Sequence, residues 1–245
     1  MIPIPPPQES KEVIDLADAF CGEIQNLTEQ QLTAYPGGWP NHLPMALLDA
    51  VFSIRTRYTT KHGKGLAPRL AAFKETYPLA AQDLRELLKL TETQISDALG
   101  RGVTAGSTKA HAALQAADNF VNLDIPGMEL IRPQPIPVYC AEDFDPSIYH
   151  HRQAYLDVHG LGKVTFRYFT MLLGHGDVKP DVWIIRAVQR VADTHKIDIA
   201  ITPAIARKIV TNAHASTGLG ETVTHLDHAI WLNERENHQP AAHTG

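Results

Sequence analysis

Apolar side chains recur along this chain at the three- to four-residue spacing of amphipathic helices, without the sustained alternation that marks strands. Val13, Leu16, Ala17, Phe20 and Ile24 share one face of a predicted first helix, capped by Ser10 and running to about residue 35. Pro36-Gly37-Gly38-Trp39-Pro40 breaks it. Residues 45–60 read as a second, strongly apolar helix carrying Leu47, Leu48, Val51, Phe52 and Ile54. Shorter helical patterns cover about 66–76 and 79–90. Thr91 followed by Glu92-Thr93-Gln94 resembles a capping-box start, and Ser107 or Thr108 opens the stretch KAHAALQAADNFV. Further helices are predicted near 146–158, 163–173 and 181–194. Thr202-Pro203 places an N-cap before a first-turn proline, Gly218 and Gly220 stop that helix, and ETVTHLDHAIWLNER forms the last one. There is no β-hairpin signal and no repeat at a fixed period. The predicted fold class is all-α.

Residues 123–146 stand apart: Pro126, Pro133, Pro135, Pro137 and Pro146 interrupt any period, which predicts a long ordered loop or a crossing between lobes. The Pro-rich residues 1–8 read as extended. At 245 residues the chain is long enough for one large domain or two small lobes. Its formal net charge of −5 weighs against a nucleic-acid partner, but the distribution is uneven. Residues 41–80 hold six basic against two acidic side chains, and residues 158–190 hold five against two. Local fields of this kind matter more than the total. Cys21 and Cys140 are far apart, no CxxC or Cys/His spacing exists, and both read as reduced thiols of a cytoplasmic protein. The N-terminus lacks the pattern of a signal peptide, and no apolar run is long enough for a bilayer.

The richest stretch is VHGLGKVTFRYFTMLLGHGDVKPDVWIIRAVQR, from Val158. Two helical patterns flank Gly160-Leu161-Gly162. The glycines permit positive φ and close approach of another backbone. The helix that starts at Lys163 offers unpaired N–H groups and a positive dipole end to a phosphate. Lys163 and Arg167 add charge on adjacent turns, and Leu161 would tuck between the helices. A plain helix–turn–helix corner, with glycines for packing, explains the same residues. Pro180 disfavours helix at Lys179, so the next helix should begin with Asp181 as N-cap. Alone that is a structural cap; beside a phosphate-binding turn it becomes a candidate catalyst.

These residues resemble the helix–hairpin–helix (HhH-GPD) DNA glycosylases of base excision DNA repair, the superfamily of endonuclease III, the adenine-mismatch glycosylases and the 3-methyladenine glycosylases. Gly160, Leu161, Gly162 and Thr165 fill the family's hairpin pattern, within a helix–hairpin–helix at 147–174, and Asp181 stands where its catalytic aspartate is expected. LLDAVFSIRTRYTT, STKAHAALQAA and LDHAIWL are similar to three further family helices, so the resemblance spans roughly 45–235, with 123–146 poorly matched. It implies a two-lobed fold with an interlobe cleft: a helical barrel at 43–180, a second lobe from 9–42 and 181–237, and flexible tails at 1–8 and 238–245. It implies a hydrolase acting on double-stranded DNA, with a flipped nucleotide attacked near Asp181. The lysine that forms a Schiff base in bifunctional members is replaced by Val164, and Lys163, one helical step away, points elsewhere, so no lyase activity is expected. His159 replaces a usual proline. The cluster cysteines of endonuclease III are absent, so no iron–sulfur cluster or other cofactor is expected. Family members often bind a monovalent cation through hairpin carbonyls, an expectation that carries over here.

Several side chains have two readings. Arg55 falls where the family fills the gap left by the flipped base; it is a DNA wedge, a phosphate contact or a surface arginine. Arg57, Lys61 and Lys64 read as phosphate contacts or as a solvated face. Tyr139, Phe144 and Tyr149 are base-pocket candidates or core. His225 and His228 have chelating spacing but no evident third ligand, which favours a surface pair; no metal site is expected. Trp183 and Trp231 are expected to pack the second lobe. Three functions stay open: a monofunctional glycosylase using Asp181, a non-catalytic helix–hairpin–helix DNA-binding module, and a helical interaction protein that ignores DNA. A monomer without membrane association is expected.

Overall fold

The computed structural model describes residues 10–40, 42–59, 64–123 and 149–237, with the side chains of Tyr149 and His150 left aside. The fold is all-α: among these residues there are twelve helices and one short β-ribbon. Among them, no helix is long and apolar enough to cross a membrane. The chain divides into two compact units, one from residues 1–35 and 178–245, the other from residues 36–177.

The first unit gathers α1 (Lys11–Ile24), α2 (Glu29–Leu32), α10 (Val182–His195), α11 (Pro203–Thr217) and α12 (Val223–Asn237). Leu16, Phe20 and Ile24, at four-residue spacing, form the buried stripe of α1. They join Ile184, Val188, Ile209, Val210, Leu226 and Ile230 in one core. Arg190 ties the unit together, its guanidinium lying 2.7 Å from Glu23 on α1 and 2.6 Å from the buried Glu234 on α12. The first helix ends at Ile24, short of the predicted residue 35. Thr28 opens α2 instead: its hydroxyl accepts from Gln31 N–H while Gln31 Oε1 accepts from Thr28 N–H, and this reciprocal capping starts a new helix.

The second unit contains α3 (Leu43–Phe52), α4 (Leu66–Thr76), α5 (Leu84–Leu87), α6 (Glu92–Leu99), β1 (Val103–Thr104), β2 (Ser107–Thr108), α7 (Lys109–Val121), α8 (Tyr149–Leu156) and α9 (Lys163–Leu172). Every residue of α3 from Pro44 to Phe52 is buried, so it is the central helix, packed by α4, α7 and α9. Tyr155 stacks on Phe169 and tilts against Phe120 and Phe166 in one aromatic cluster. Three predicted elements differ. The second helix stops at Phe52 because the backbone turns left-handed at Arg55. Only Leu84–Leu87 of the stretch 79–90 is helical, since Asp83 caps Arg85 N–H at 2.7 Å and restarts the chain there. The ribbon was not expected: Ala105 and Gly106 both take positive φ, the turn geometry that suits a two-residue hairpin, but Ala-Gly lacks the usual Asn-Gly or Asp-Gly signature.

Candidate functional site

The turn between α8 and α9 gives its two glycines different reasons to exist. Gly160 has φ +90°, and a Cβ there would lie 2.9 Å from the Ala105 Cβ and 3.0 Å from the Thr104 hydroxyl oxygen. Thr104 donates its hydroxyl to the Gly160 carbonyl at 3.0 Å, so the ribbon supports the turn from beneath. Packing within the chain therefore demands Gly160. Gly162 is the opposite case. It is exposed, its φ of −133° suits any residue, and a Cβ would meet nothing within 4 Å among the described residues. Leu161 is buried among the residues of the unit's core, as its position between two helices predicts.

The start of α9 is open. Thr165 Oγ1 accepts from Gly162 N–H at 3.0 Å and donates to the Gly162 carbonyl at 2.8 Å, closing the first turn. The N–H groups of Lys163, Val164 and Thr165 point out of the first turn and have no acceptor among the described residues. Lys163 and His159 are exposed beside them. The carbonyls of Val158, Gly160 and Gly162 already accept hydrogen bonds, from Leu161 N–H, Thr104 and Phe166 N–H respectively, so a monovalent cation would have to share them.

Arg167 does not belong to this surface, contrary to its expected role on a phosphate. Its guanidinium pairs with Asp177 at 2.8 Å, and the two side chains are only 13% and 5% exposed. The partner lies ten residues ahead in the segment after α9, and that buried pair fixes the segment rather than reaching outward. Arg55 and Arg57 are both exposed, in the turn that follows α3. Arg55 takes φ +51°, which is uncommon outside glycine. Lys61, Tyr139 and Phe144 lie outside the described residues, and of Tyr149 only its place at the start of α8 is described.

Asp181 caps α10 as the Pro180 signal predicts. Its Oδ1 accepts from Trp183 N–H at 2.8 Å and from Ile184 N–H at 3.4 Å. Oδ2 has no hydrogen-bond partner among the described residues. The approach to the cap is also fixed, since Lys179 N–H donates to the Asp227 carboxylate of α12 at 3.0 Å. One oxygen of Asp181 thus anchors the side chain, and the other remains for a ligand or water.

His225 and His228 are not a surface pair. Both rings pack on Tyr35, with centroids 5.2 and 5.6 Å away, and His228 stacks on Trp231 at 5.3 Å. Arg235 lies over the other part of this cluster, 4.3 Å from the Trp231 ring. Among the described residues no third donor completes a metal site with the two histidines. Burial, then the neighbouring His225 and Arg235, push His228 down to about 4 from 6.5. The unfolded chain therefore binds this proton more readily than the folded one between those values. Stability should fall as pH drops from about 6.5 towards 4, by about 3 kcal/mol for full protonation. Melting temperatures of wild type and His228→Gln at pH 7 and pH 5 check this; the variant should lose less on acidification, and equal losses would sink the assignment.

Two polar residues of the second unit escaped the sequence reading. Asp49 is fully buried on α3 and accepts from the Trp39 indole at 2.9 Å and the Tyr58 hydroxyl at 2.8 Å. Lys109 is 4% exposed and donates to the Phe52 and Ile54 carbonyls and the Thr56 hydroxyl. A signal existed for each: a lone acid inside the apolar LLDAVF, and a lysine in a first helical turn, where the dipole disfavours a cation.

A family model described as Domain of unknown function (DUF8548) matches residues 18–235. No curated protein and no solved structure matches the chain.

Proposed function

The chain belongs to the DUF8548 family, a domain of unknown function, and we propose that it is a monofunctional DNA glycosylase that hydrolyses the N-glycosidic bond of a damaged or mismatched base in duplex DNA. The observation that carries the catalytic half is Asp181, anchored through one oxygen with the other unclaimed, at the residue that the resemblance assigns to catalysis. As the bond to the base breaks, positive charge develops on the sugar, and a fixed carboxylate stabilises it. The same oxygen orients the attacking water and accepts its proton, and the base leaves with the bonding electrons. Val164 supplies no amine, so the reaction ends at the abasic site.

The DNA half is supported by Gly162, whose missing side chain no described residue requires, next to three N–H groups without an acceptor among the described residues and the exposed Lys163. This half also favours the second reading, a non-catalytic helix–hairpin–helix module, because it does not depend on Asp181. The test is base release from duplexes each carrying one alkylated purine, uracil, oxidised base or mismatch, with alkali to reveal abasic sites. Alkali-dependent cleavage of one substrate supports the enzyme. Salt-sensitive binding with no release across the panel supports the module. Binding that ignores salt, or no binding, removes both.

The two glycines give a paired prediction. Gly162→Ala should keep or slightly raise the melting temperature, because the folded backbone accepts alanine and the unfolded chain loses entropy. It should weaken duplex binding about tenfold, the equivalent of one lost phosphate contact. Gly160→Ala should lower stability by about 1 kcal/mol or more, from its positive φ and its contact with Ala105. Thermal melts and fluorescence anisotropy separate the two; equal DNA affinity of Gly162→Ala and wild type would count against the DNA-binding turn.

A further inference from the structure

We propose that Lys109 is a positioning residue for DNA engagement, clamping the turn after α3 so that Arg55 is held outward to meet the duplex. The inference rests on the DNA reading above. Lys109 occupies the first position of α7, where the helix dipole opposes a cation, yet it is 4% exposed. Its reason for being there lies across the unit. The Nζ lies 3.0 Å from the Phe52 carbonyl and 2.7 Å from the Thr56 hydroxyl, and it also donates to the Ile54 carbonyl. An ammonium has three protons, and these acceptors match them. The carbonyls belong to the end of α3 and the residues just past it, where a helix carries partial negative charge.

The clamp brackets Arg55. Residues 52, 54 and 56 are held, and the residue among them takes φ +51°. Left-handed backbone costs a non-glycine residue roughly 1–2 kcal/mol and persists where the surroundings over-determine it. The Arg55 side chain is exposed and has no hydrogen bond or ion pair among the described residues. The strain therefore serves no contact that the described chain makes with this guanidinium. A long planar cation projecting from a rigid turn suits a phosphate or a gap in a base stack.

Local sequence makes room for the clamp. A Cβ on Gly102 would lie 3.1–3.2 Å from the Lys109 side chain, and Lys109 N–H donates to the Gly102 carbonyl at 2.9 Å. Within the same segment, Thr104 holds the Gly160 carbonyl. Residues 102–109 thus join the Arg55 turn to the glycine turn, and both candidate DNA contacts hang on one element. Burial, with Arg69 and Arg55 nearby, draws the Lys109 ammonium down to about 8, so at neutral pH it still offers all three protons.

The experiment measures fluorescence anisotropy of the full chain on a duplex with a tetrahydrofuran abasic analogue, across salt concentrations. It compares wild type, Arg55→Ala, Lys109→Gln, the double variant, and Thr56→Val, with folding checked by thermal melts. Arg55→Ala and Lys109→Gln should each weaken binding about tenfold. The double variant should bind no more weakly than Arg55→Ala alone, because Lys109 acts through Arg55. A merely structural lysine would add its full loss in the Arg55→Ala background, and that result overturns the proposal. So does wild-type affinity in Lys109→Gln, or a loss there without one in Arg55→Ala. If Lys109→Gln does not fold, Thr56→Val decides: it removes one acceptor, and should cause a smaller loss that disappears in the Arg55→Ala background. Unchanged affinity in Thr56→Val then overturns the proposal. Wild type without salt-dependent binding fails the DNA reading itself, whereas wild type and Arg55→Ala as expected with Lys109 silent fails only this inference.

Discussion

Asp181→Asn is expected to lower base release by about 10²-fold or more while duplex binding stays within a few-fold of wild type. Asparagine keeps the cap. Its side-chain oxygen can still accept from Trp183 N–H and Ile184 N–H, so α10 retains its cap and the variant should fold. What it loses is the negative charge and the second oxygen, the one that no described residue occupies. A neutral amide neither stabilises a cationic sugar nor takes a proton from water. Asp181→Ala makes the contrast sharper, since it also removes the cap and should lower stability by about 1 kcal/mol. Single-turnover base release on whichever duplex of the panel the wild type cleaves measures the effect, with anisotropy on the same duplex. Neither protein should form a borohydride-trapped adduct, given Val164. Release by Asp181→Asn at the wild-type rate would remove Asp181 from the chemistry, and a trapped adduct would put an amine there instead.

The helical pattern and the capping residues were legible because they are local. The stripe of Leu16, Phe20 and Ile24 needs only the helical repeat, and the Asp181 cap needs only Pro180 before it. What was illegible depends on partners far along the chain. Arg167 looks like a phosphate contact until Asp177 folds back onto it. His225 and His228 look like a surface pair until Tyr35, nearly two hundred residues earlier, covers both. The left-handed turn at Arg55 lies between groups held by a lysine far along the chain, and the ribbon turns on an alanine that takes positive φ without the usual Asn or Asp. Gly160 and Gly162 read alike as letters. Only the neighbours of Gly160 show that it, unlike Gly162, is crowded by described residues. The residues assigned to a base pocket, Tyr139 and Phe144, lie outside the described residues.

Asp49→Ala is expected to destabilise the second unit by about 3–5 kcal/mol, at about 1–3 kcal/mol for each hydrogen-bond donor that loses this acceptor. The carboxylate is fully buried at the middle of α3. Trp39 and Tyr58 both donate to Oδ2, at 2.9 and 2.8 Å, and the Tyr168 hydroxyl lies 3.4 Å from Oδ1. Alanine would take this acceptor from three half-buried donors and open a cavity along a helix that is buried from Pro44 to Phe52. Removing one donor is milder: Tyr168→Phe or Trp39→Phe should cost about 1–3 kcal/mol, because the carboxylate keeps its other partners. Against a typical domain stability of about 5–15 kcal/mol, the loss from Asp49→Ala is a large fraction. It should appear as a fall in melting temperature of about 10 °C for a chain of this size. The consequence reaches the elements proposed to contact DNA. Tyr58 follows Arg57 at the end of the basic turn, and Tyr168 sits on α9, the helix that the glycine turn opens. Asp49 therefore fixes both elements to α3, and duplex affinity should fall in Asp49→Ala even at temperatures where it is folded. A melting temperature within a degree or two of wild type would show that the buried carboxylate holds neither.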